Sequence, residues 1–208
     1  MTPEGYDDRP RLILASQSRS RRQMLEAAGL RFAAIASAVD EPQLRRRMQD
    51  TGADVSPEAV ARALAAAKAE DVSRAHRQAL VIGGDQVLAL GDEVFEKPAG
   101  LDGARRHLLA LRGKTHRLIS AVVLATAGRV VWQHAETAVL TVRPFSADFL
   151  ERYLAAAGED VCQSVGAYQL EGLGAQLFER IEGDYFTILG LPLIALLGEL
   201  RAREILPT

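Results

Sequence analysis

The stretch from His116 to Val142 limits the possible folds more than any other part of the chain. It alternates or runs apolar throughout and is broken only by Ala127-Gly128, a turn signal, so it predicts a long β-hairpin of His116–Thr126 and Arg129–Val142. Elsewhere short apolar runs alternate with helical patterns, which on their own would suggest a doubly wound parallel sheet. A hairpin in the middle excludes that regular form. The class expected is mixed α/β, a mixed β-sheet with flanking helices.

Around the hairpin the elements follow from local rules. Leu12–Ala15 and Phe32–Ala36 read as short strands, with a helix over Arg21–Ala28 stopped at Gly29. Asp40-Glu41-Pro42 reads as a loop, because proline restricts the residue before it. Ser56-Pro57-Glu58 places Ser at the N-cap and Pro at the first helical position of an Ala-rich helix that runs to about Arg77. Leu80–Leu90 is a strand, Gly91-Asp92 a hairpin turn, and Leu101–Leu111 an amphipathic helix. Ser146 caps a helix that ends before Gly158, and Leu193–Arg203 is the closing helix, with Arg201 and Arg203 where cations suit its dipole. No linker divides the chain, so residues 1–208 are expected to form a single domain, long enough for a sizeable core.

Charge and composition exclude several functions. The formal net charge is −2, whereas a protein that neutralises a nucleic-acid backbone is usually basic, so no nucleic acid is expected as partner. No apolar run is long enough to cross a membrane, and Met1–Pro10 lacks the apolar stretch of a signal peptide. The single cysteine, Cys162, cannot close an internal disulfide, which suits a cytoplasmic protein. The four histidines show no metal-ligand spacing.

The residues suited to chemistry fall into a few places. Ser16-Gln17-Ser18-Arg19-Ser20-Arg21-Arg22 lies between a strand and a helix, where backbone N–H groups, hydroxyls and arginine forks can hold phosphate. Each serine taken singly is equally a helix cap. Asp85 follows Gly83-Gly84 within an apolar strand, where a carboxylate is costly unless it is paired or binds a metal. Glu41, Lys68 and Lys97 are each unremarkable singly, as a surface acid and solvated lysines. Together with Asp85 they offer two carboxylates for a hard cation and several cations for phosphate.

These residues resemble the blocks of the Maf family of nucleotide pyrophosphatases. Leu14-Ala15-Ser16-x-Ser18-x-x-Arg21-Arg22-x-x-Leu25 is similar to the family's opening signature, Val39-Asp40-Glu41 to its second block and Ala67-Lys68-Ala69 to its third. Gly84-Asp85-Gln86 followed by Lys97-Pro98 resembles its catalytic block. Gly166-Ala167-Tyr168 through Gly190-Leu191-Pro192-Leu193 resembles its C-terminal part. The resemblance implies the fold shared with inosine-triphosphate pyrophosphatases, two lobes around a cleft. It implies hydrolysis of a nucleoside triphosphate to the monophosphate and pyrophosphate, a divalent cation (Mg²⁺ or Mn²⁺), and a homodimer. Carried over by position, Asp85 is the general base, and Glu41 with Asp85 forms the metal site. Ser16, Ser18, Arg21, Arg22, Lys68 and Lys97 bind phosphate.

Substrate choice would rest on Ser20, Gln86 and Glu171. Gln86 and Glu171 stand where the branch acting on 7-methyl-GTP has the same residue types, and Glu171 could accept hydrogen bonds from a guanine N1–H and amino group. Ser20 departs from the tryptophan common in that branch, Arg19 replaces a usual proline, and a usual lysine is missing near Ser164. Gly183-Asp184-Tyr185-Phe186 looks more like the branch acting on dTTP and UTP. The alternatives are that dTTP/UTP pyrophosphatase, an enzyme releasing only terminal phosphate or transferring a nucleotidyl group, and a non-enzymatic nucleotide-binding regulator of septation, which would not need Asp85.

Overall fold

The structure is a computed structural model that describes residues 11–207; the expectation for Met1–Pro10 lies outside them. The strands are β1 (Leu12–Leu14), β2 (Phe32–Ala34), β3 (Leu80–Leu90), β4 (Glu93–Phe95), β5 (Thr115–Thr126), β6 (Arg129–Val142) and β7 (Phe178–Glu182). They form one seven-stranded sheet in the order β2-β1-β3-β5-β6-β7, with β4 paired to the far half of β3. The β2-β1-β3 side is parallel and the rest antiparallel, so the mixed sheet expected from the hairpin is what forms. Ala127 and Gly128 close the hairpin with φ of 50° and 79°, the positive values that match the twist of the strands.

The helices are α1 (Arg19–Ala27), α2 (Glu41–Asp50), α3 (Pro57–Ala75), α4 (Gly100–Leu111), α5 (Ala147–Ala157), α6 (Tyr185–Ile188) and α7 (Leu193–Ala202). Ser18, Ser56 and Ser146 accept hydrogen bonds from the first-turn N–H groups of α1, α3 and α5; the expected starts at Ser56 and Ser146 hold, and α1 begins at Arg19, two residues before the expected Arg21. No helix among the described residues is long and apolar enough to cross a membrane.

One expectation is corrected. Asp40-Glu41-Pro42 is the start of α2 and not a loop: Asp40 is the N-cap, its carboxylate accepting from the N–H of Gln43 at 2.8 Å. Proline in the first turn lacks only an N–H that a helix start leaves unpaired anyway, so its presence there favours helix.

Strand alternation sorts the core. Val81, Val87 and Ala89 of β3, with Ile119, Ala121 and Val123 of β5, pack against Ala61, Leu64, Ala65 and Ala69 of α3. On the other face, Ile82, Val122 and Leu124 pack with α1 and α7, while Leu88, Leu118 and Leu140 pack with α4 and α5. Between those two clusters β3 and β5 present Gly84, Gln86 and Ser120, so the second face has a polar gap at the middle of the sheet.

Candidate active site

The two glycines of β3 each admit a neighbour that a side chain would exclude. A Cβ on Gly83 would stand 2.2 Å from the carbonyl oxygen of Ala65, so glycine here lets α3 lie close against the strand. A Cβ on Gly84 would stand 3.1 Å from Arg21 Nε, so glycine there lets the guanidinium cross the opposite face. Residue 85 then turns toward α3 and residue 86 toward α6, and both end at the wall of one large cavity.

That cavity has a volume of about 1080 Å³. Ser16, Ser18, Ser20, Arg21, Glu41, Lys68, Asp85, Gln86, Lys97 and Glu171 all line it. Residues expected from chain segments far apart are thereby brought together. Arg22 is not among them: it is exposed and lies 3.9 Å from Glu26, because one helical step carries it away from the direction Arg21 takes.

Lys68 is at the centre of the charges. Its Nζ lies 2.6 Å from Asp85 Oδ1 and 2.7 Å from Glu41 Oε1. Asp85 is 6 % exposed, and its Oδ2 is buried without a hydrogen-bond partner among the described residues. Burial pushes the Asp85 carboxyl above its usual range, while the Lys68 and Arg21 cations oppose the rise. Arg21 Nε donates to the carbonyl of Gly190 at 2.8 Å, and Nη1 donates to Ser16 Oγ at 3.3 Å. Burial lowers the Arg21 pKa, but an arginine remains charged. Desolvation, and then Arg21, hold the Lys97 ammonium below the usual lysine range.

The serines do two jobs. Ser18 Oγ caps α1 by accepting from the N–H of Arg21 at 3.3 Å, and Ser16 Oγ accepts from the N–H of Ser18 at 3.1 Å. The helix-cap reading therefore holds for Ser18 alone, at the same time as its place on the cavity wall. Gln86 is anchored: its Nε2 donates to Ser120 Oγ at 3.0 Å and to the carbonyls of Thr187 at 3.1 Å and Ile188 at 3.0 Å. It ties α6 to the sheet and so shapes the cavity wall.

Three charged lining residues, Arg45, Glu96 and Asp160, are not among those expected from the sequence. Arg45 follows Glu41 by one helical turn, a signal hidden while that segment was read as a loop. Asp160 lies in the short 3₁₀ helix Gly158–Gln163 after α5, where no periodicity marks it. Conversely, Gly183-Asp184-Tyr185-Phe186 is not part of the lining: Asp184 caps α6 and Phe186 packs with the α1–α7 cluster.

Geometry of this kind gives a buried carboxylate with one free oxygen, a paired lysine, and several cations around a space large enough for a nucleotide. Comparison with known proteins agrees in kind. The chain is 54% identical over 192 residues to a protein of Rhizobium etli named 7-methyl-GTP pyrophosphatase, covering 92% of this chain and 96% of that one. It is 56% identical over 191 residues to one of the same name from Mesorhizobium japonicum, covering 92% of this chain and 95% of the relative. A Hyphomonas neptunium protein named nucleoside triphosphate pyrophosphatase is 52% identical over 197 residues, covering 95% of this chain and 98% of the relative. The family model described as Maf-like protein matches residues 11–203, and this chain belongs to that family.

Proposed function

We propose that the protein hydrolyses a nucleoside triphosphate at the α-phosphorus, releasing the monophosphate and pyrophosphate, with 7-methyl-GTP as the preferred substrate. The observation that carries this reading is Asp85: one carboxylate oxygen is held by Lys68, and the other is buried and without a partner among the described residues. In the reaction a water oxygen attacks the α-phosphorus, and the bond from that phosphorus to the bridging oxygen breaks. Asp85 Oδ2 takes a proton from the water. Burial, which raises the Asp85 pKa above its usual range, makes its carboxylate the stronger base. Lys68 holds Oδ1 and so fixes the direction of Oδ2, and Arg21, fixed by Gly190 and Ser16, faces the phosphates.

The carboxylates fit a hard divalent cation. Glu41 and Asp85 both lie within 2.7 Å of one ammonium, and Oδ2 is an oxygen in need of a partner. Among the described residues no group of three or more His, Cys, Asp or Glu could hold a metal, so phosphate oxygens and water would complete the shell. Bound there, Mg²⁺ or Mn²⁺ would polarise phosphate oxygens and neutralise their charge.

The choice of base rests on Glu171 and Asp160, carboxylates on the wall supplied by the C-terminal half. Carboxylates accept from guanine N1–H and amino groups and favour a cationic methylated ring, whereas they cannot donate to a uracil carbonyl. The segment that looked more like the pyrimidine branch, Gly183 to Phe186, does not line the cavity. The relatives from Rhizobium and Mesorhizobium carry the 7-methyl-GTP name. The same reading carries a cytoplasmic homodimer, which light scattering tests. The activity is tested by incubation with Mg²⁺ or Mn²⁺ and 7-methyl-GTP, GTP, dTTP, UTP and CTP, measuring pyrophosphate. Release from 7-methyl-GTP that disappears in Asp85→Asn supports the reading. Release only from dTTP and UTP moves the protein to the pyrimidine branch. Nucleotide binding without pyrophosphate favours a regulator.

A further inference from the structure

We propose that Arg45 is a phosphate-binding residue that grips the terminal phosphates of the bound triphosphate and, after cleavage, the pyrophosphate. The identity of the nucleotide rests on the reading above; the anion site itself rests on the geometry of α2.

The register of α2 settles where Arg45 points. Leu44 and Met48 are partly buried and pack against the cluster under α3, so residues 44 and 48 define the inner face of the helix. Glu41 and Arg45 lie one turn apart on the stripe beside it, and both line the cavity. Arg46 and Arg47 follow at successive helical steps, are exposed and do not line it. Three consecutive arginines are thus unequal, and only the first faces the site.

Arg45 is also uncommitted. Its usual helical partner would be Glu41, four residues earlier, but Glu41 is engaged by Lys68 at 2.7 Å. Arg45 makes no hydrogen bond or ion pair with another described residue. Two other lining cations, Arg21 and Lys68, are already bound, Arg21 to Gly190 and Ser16 and Lys68 to Asp85 and Glu41. A triphosphate brings more negative charge than those two, already held by protein oxygens, can neutralise, which leaves Lys97, the exposed Arg19 and Arg45 of the lining to meet it. A partly buried guanidinium with its donors free is the group suited to take phosphate oxygens two at a time. The α2 carboxylate of the lining, Glu41, is neutralised by Lys68, whereas Glu96, Asp160 and Glu171 make no ion pair with a described residue, so the α2 side suits the anionic end of the substrate.

The test is calorimetric titration of the full chain with inorganic pyrophosphate, with and without Mg²⁺, in wild type, Arg45→Ala, Arg45→Lys and Arg46→Ala. The expected result is a Kd raised about tenfold in Arg45→Ala, the usual size of one lost charge-assisted contact, and raised less in Arg45→Lys. Arg46→Ala, which preserves the helix and removes a neighbouring charge, should stay within about twofold of wild type. In turnover the Arg45→Ala effect should appear in KM, with kcat nearly unchanged, and affinity for the nucleoside monophosphate should not move. Equal weakening in Arg45→Ala and Arg46→Ala would reduce the effect to a general positive field and overturn the proposal. So would unchanged pyrophosphate affinity in Arg45→Ala, or no pyrophosphate binding by the wild type. If no nucleotide is hydrolysed but Arg45→Ala still loses pyrophosphate, the anion site stands and the hydrolase reading falls.

Discussion

Arg21 Nε donates to the carbonyl of Gly190 at 2.8 Å, joining the first turn of α1 to the turn before α7 across the face of β3. That single bond fixes a partly buried cation at the cavity wall, and a side chain at Gly84 would crowd it. Arg21→Lys keeps the charge but loses the fork that reaches Gly190 and Ser16 together. The expected stability cost is about 1–3 kcal/mol. The expected loss of kcat/KM exceeds what that cost explains, and kinetics at a temperature where the variant is fully folded checks this.

The two glycines of β3 should separate by phenotype. At Gly83 a methyl group meets the backbone of α3 at 2.2 Å, and backbone cannot step aside, so Gly83→Ala should destabilise by about 3 kcal/mol in urea unfolding. At Gly84 it meets the Arg21 side chain at 3.1 Å, and a side chain can shift. Gly84→Ala should therefore lose less stability than Gly83→Ala, no more than the Arg21–Gly190 bond is worth, and show its main defect in substrate binding. Equal loss of stability in both would contradict this division.

Removing Lys68 should shift the acid limb of the rate profile. In the proposed role Asp85 must be ionised to accept a proton, and its pKa is already raised by burial against the opposing pull of Lys68 and Arg21. Lys68→Met takes away one of those pulls, so the pKa rises further and activity should fall off at a higher pH than in wild type. Profiles of kcat/KM against pH for both proteins test this. An unmoved limb would show that Asp85 is not the titrating group.

His116 makes stability depend on pH away from the chemistry. It is 1 % exposed, its Nε2 lies 2.7 Å from the Tyr168 hydroxyl, and burial lowers its pKa from 6.5 to about 4. The unfolded chain therefore binds the proton more readily than the folded one. The stabilising contribution is complete above pH 6.5 and is lost as pH falls toward about 4. The loss amounts to about 3 kcal/mol at most. In His116→Gln, which can still bond Tyr168, urea midpoints should fall less steeply over that range than in wild type.

Gln86 should tolerate little change. Its amide donates to the carbonyls of Thr187 and Ile188, so Gln86→Glu would set a carboxylate against two acceptors. A cost of roughly 2–4 kcal/mol is expected, with α6 loosened from the sheet, readable by hydrogen exchange at Thr187.

Much of this was legible in the residues. Leu80–Leu90 is the strand the apolar run predicted, and Ser16, Lys68, Asp85 and Glu171 do meet at one cavity. What the sequence withheld depends on register. Arg21 and Arg22 are neighbours of the same type, and only the direction of α1 separates the one bound to Gly190 from the one in solvent. Arg45 was hidden in the same way, because a run of arginines has no face until the helix carrying it is recognised. Gln86 looked like a residue for reading a base; its long-range acceptors, more than a hundred positions away, leave no local trace.

Those same long-range bonds bear on how the molecule comes into being. Thr187, Ile188 and Gly190, which hold Gln86 and Arg21, lie near the end of the chain, although the residues they hold come from its first half. During synthesis Arg21 and the wall beside Asp85 stay unset until residues 187–190, more than a hundred positions later, have left the ribosome. A chain stalled before them would thus carry Lys68 and Asp85 and still be unable to set Arg21 and Gln86, so the full geometry of the site arrives only with that late segment.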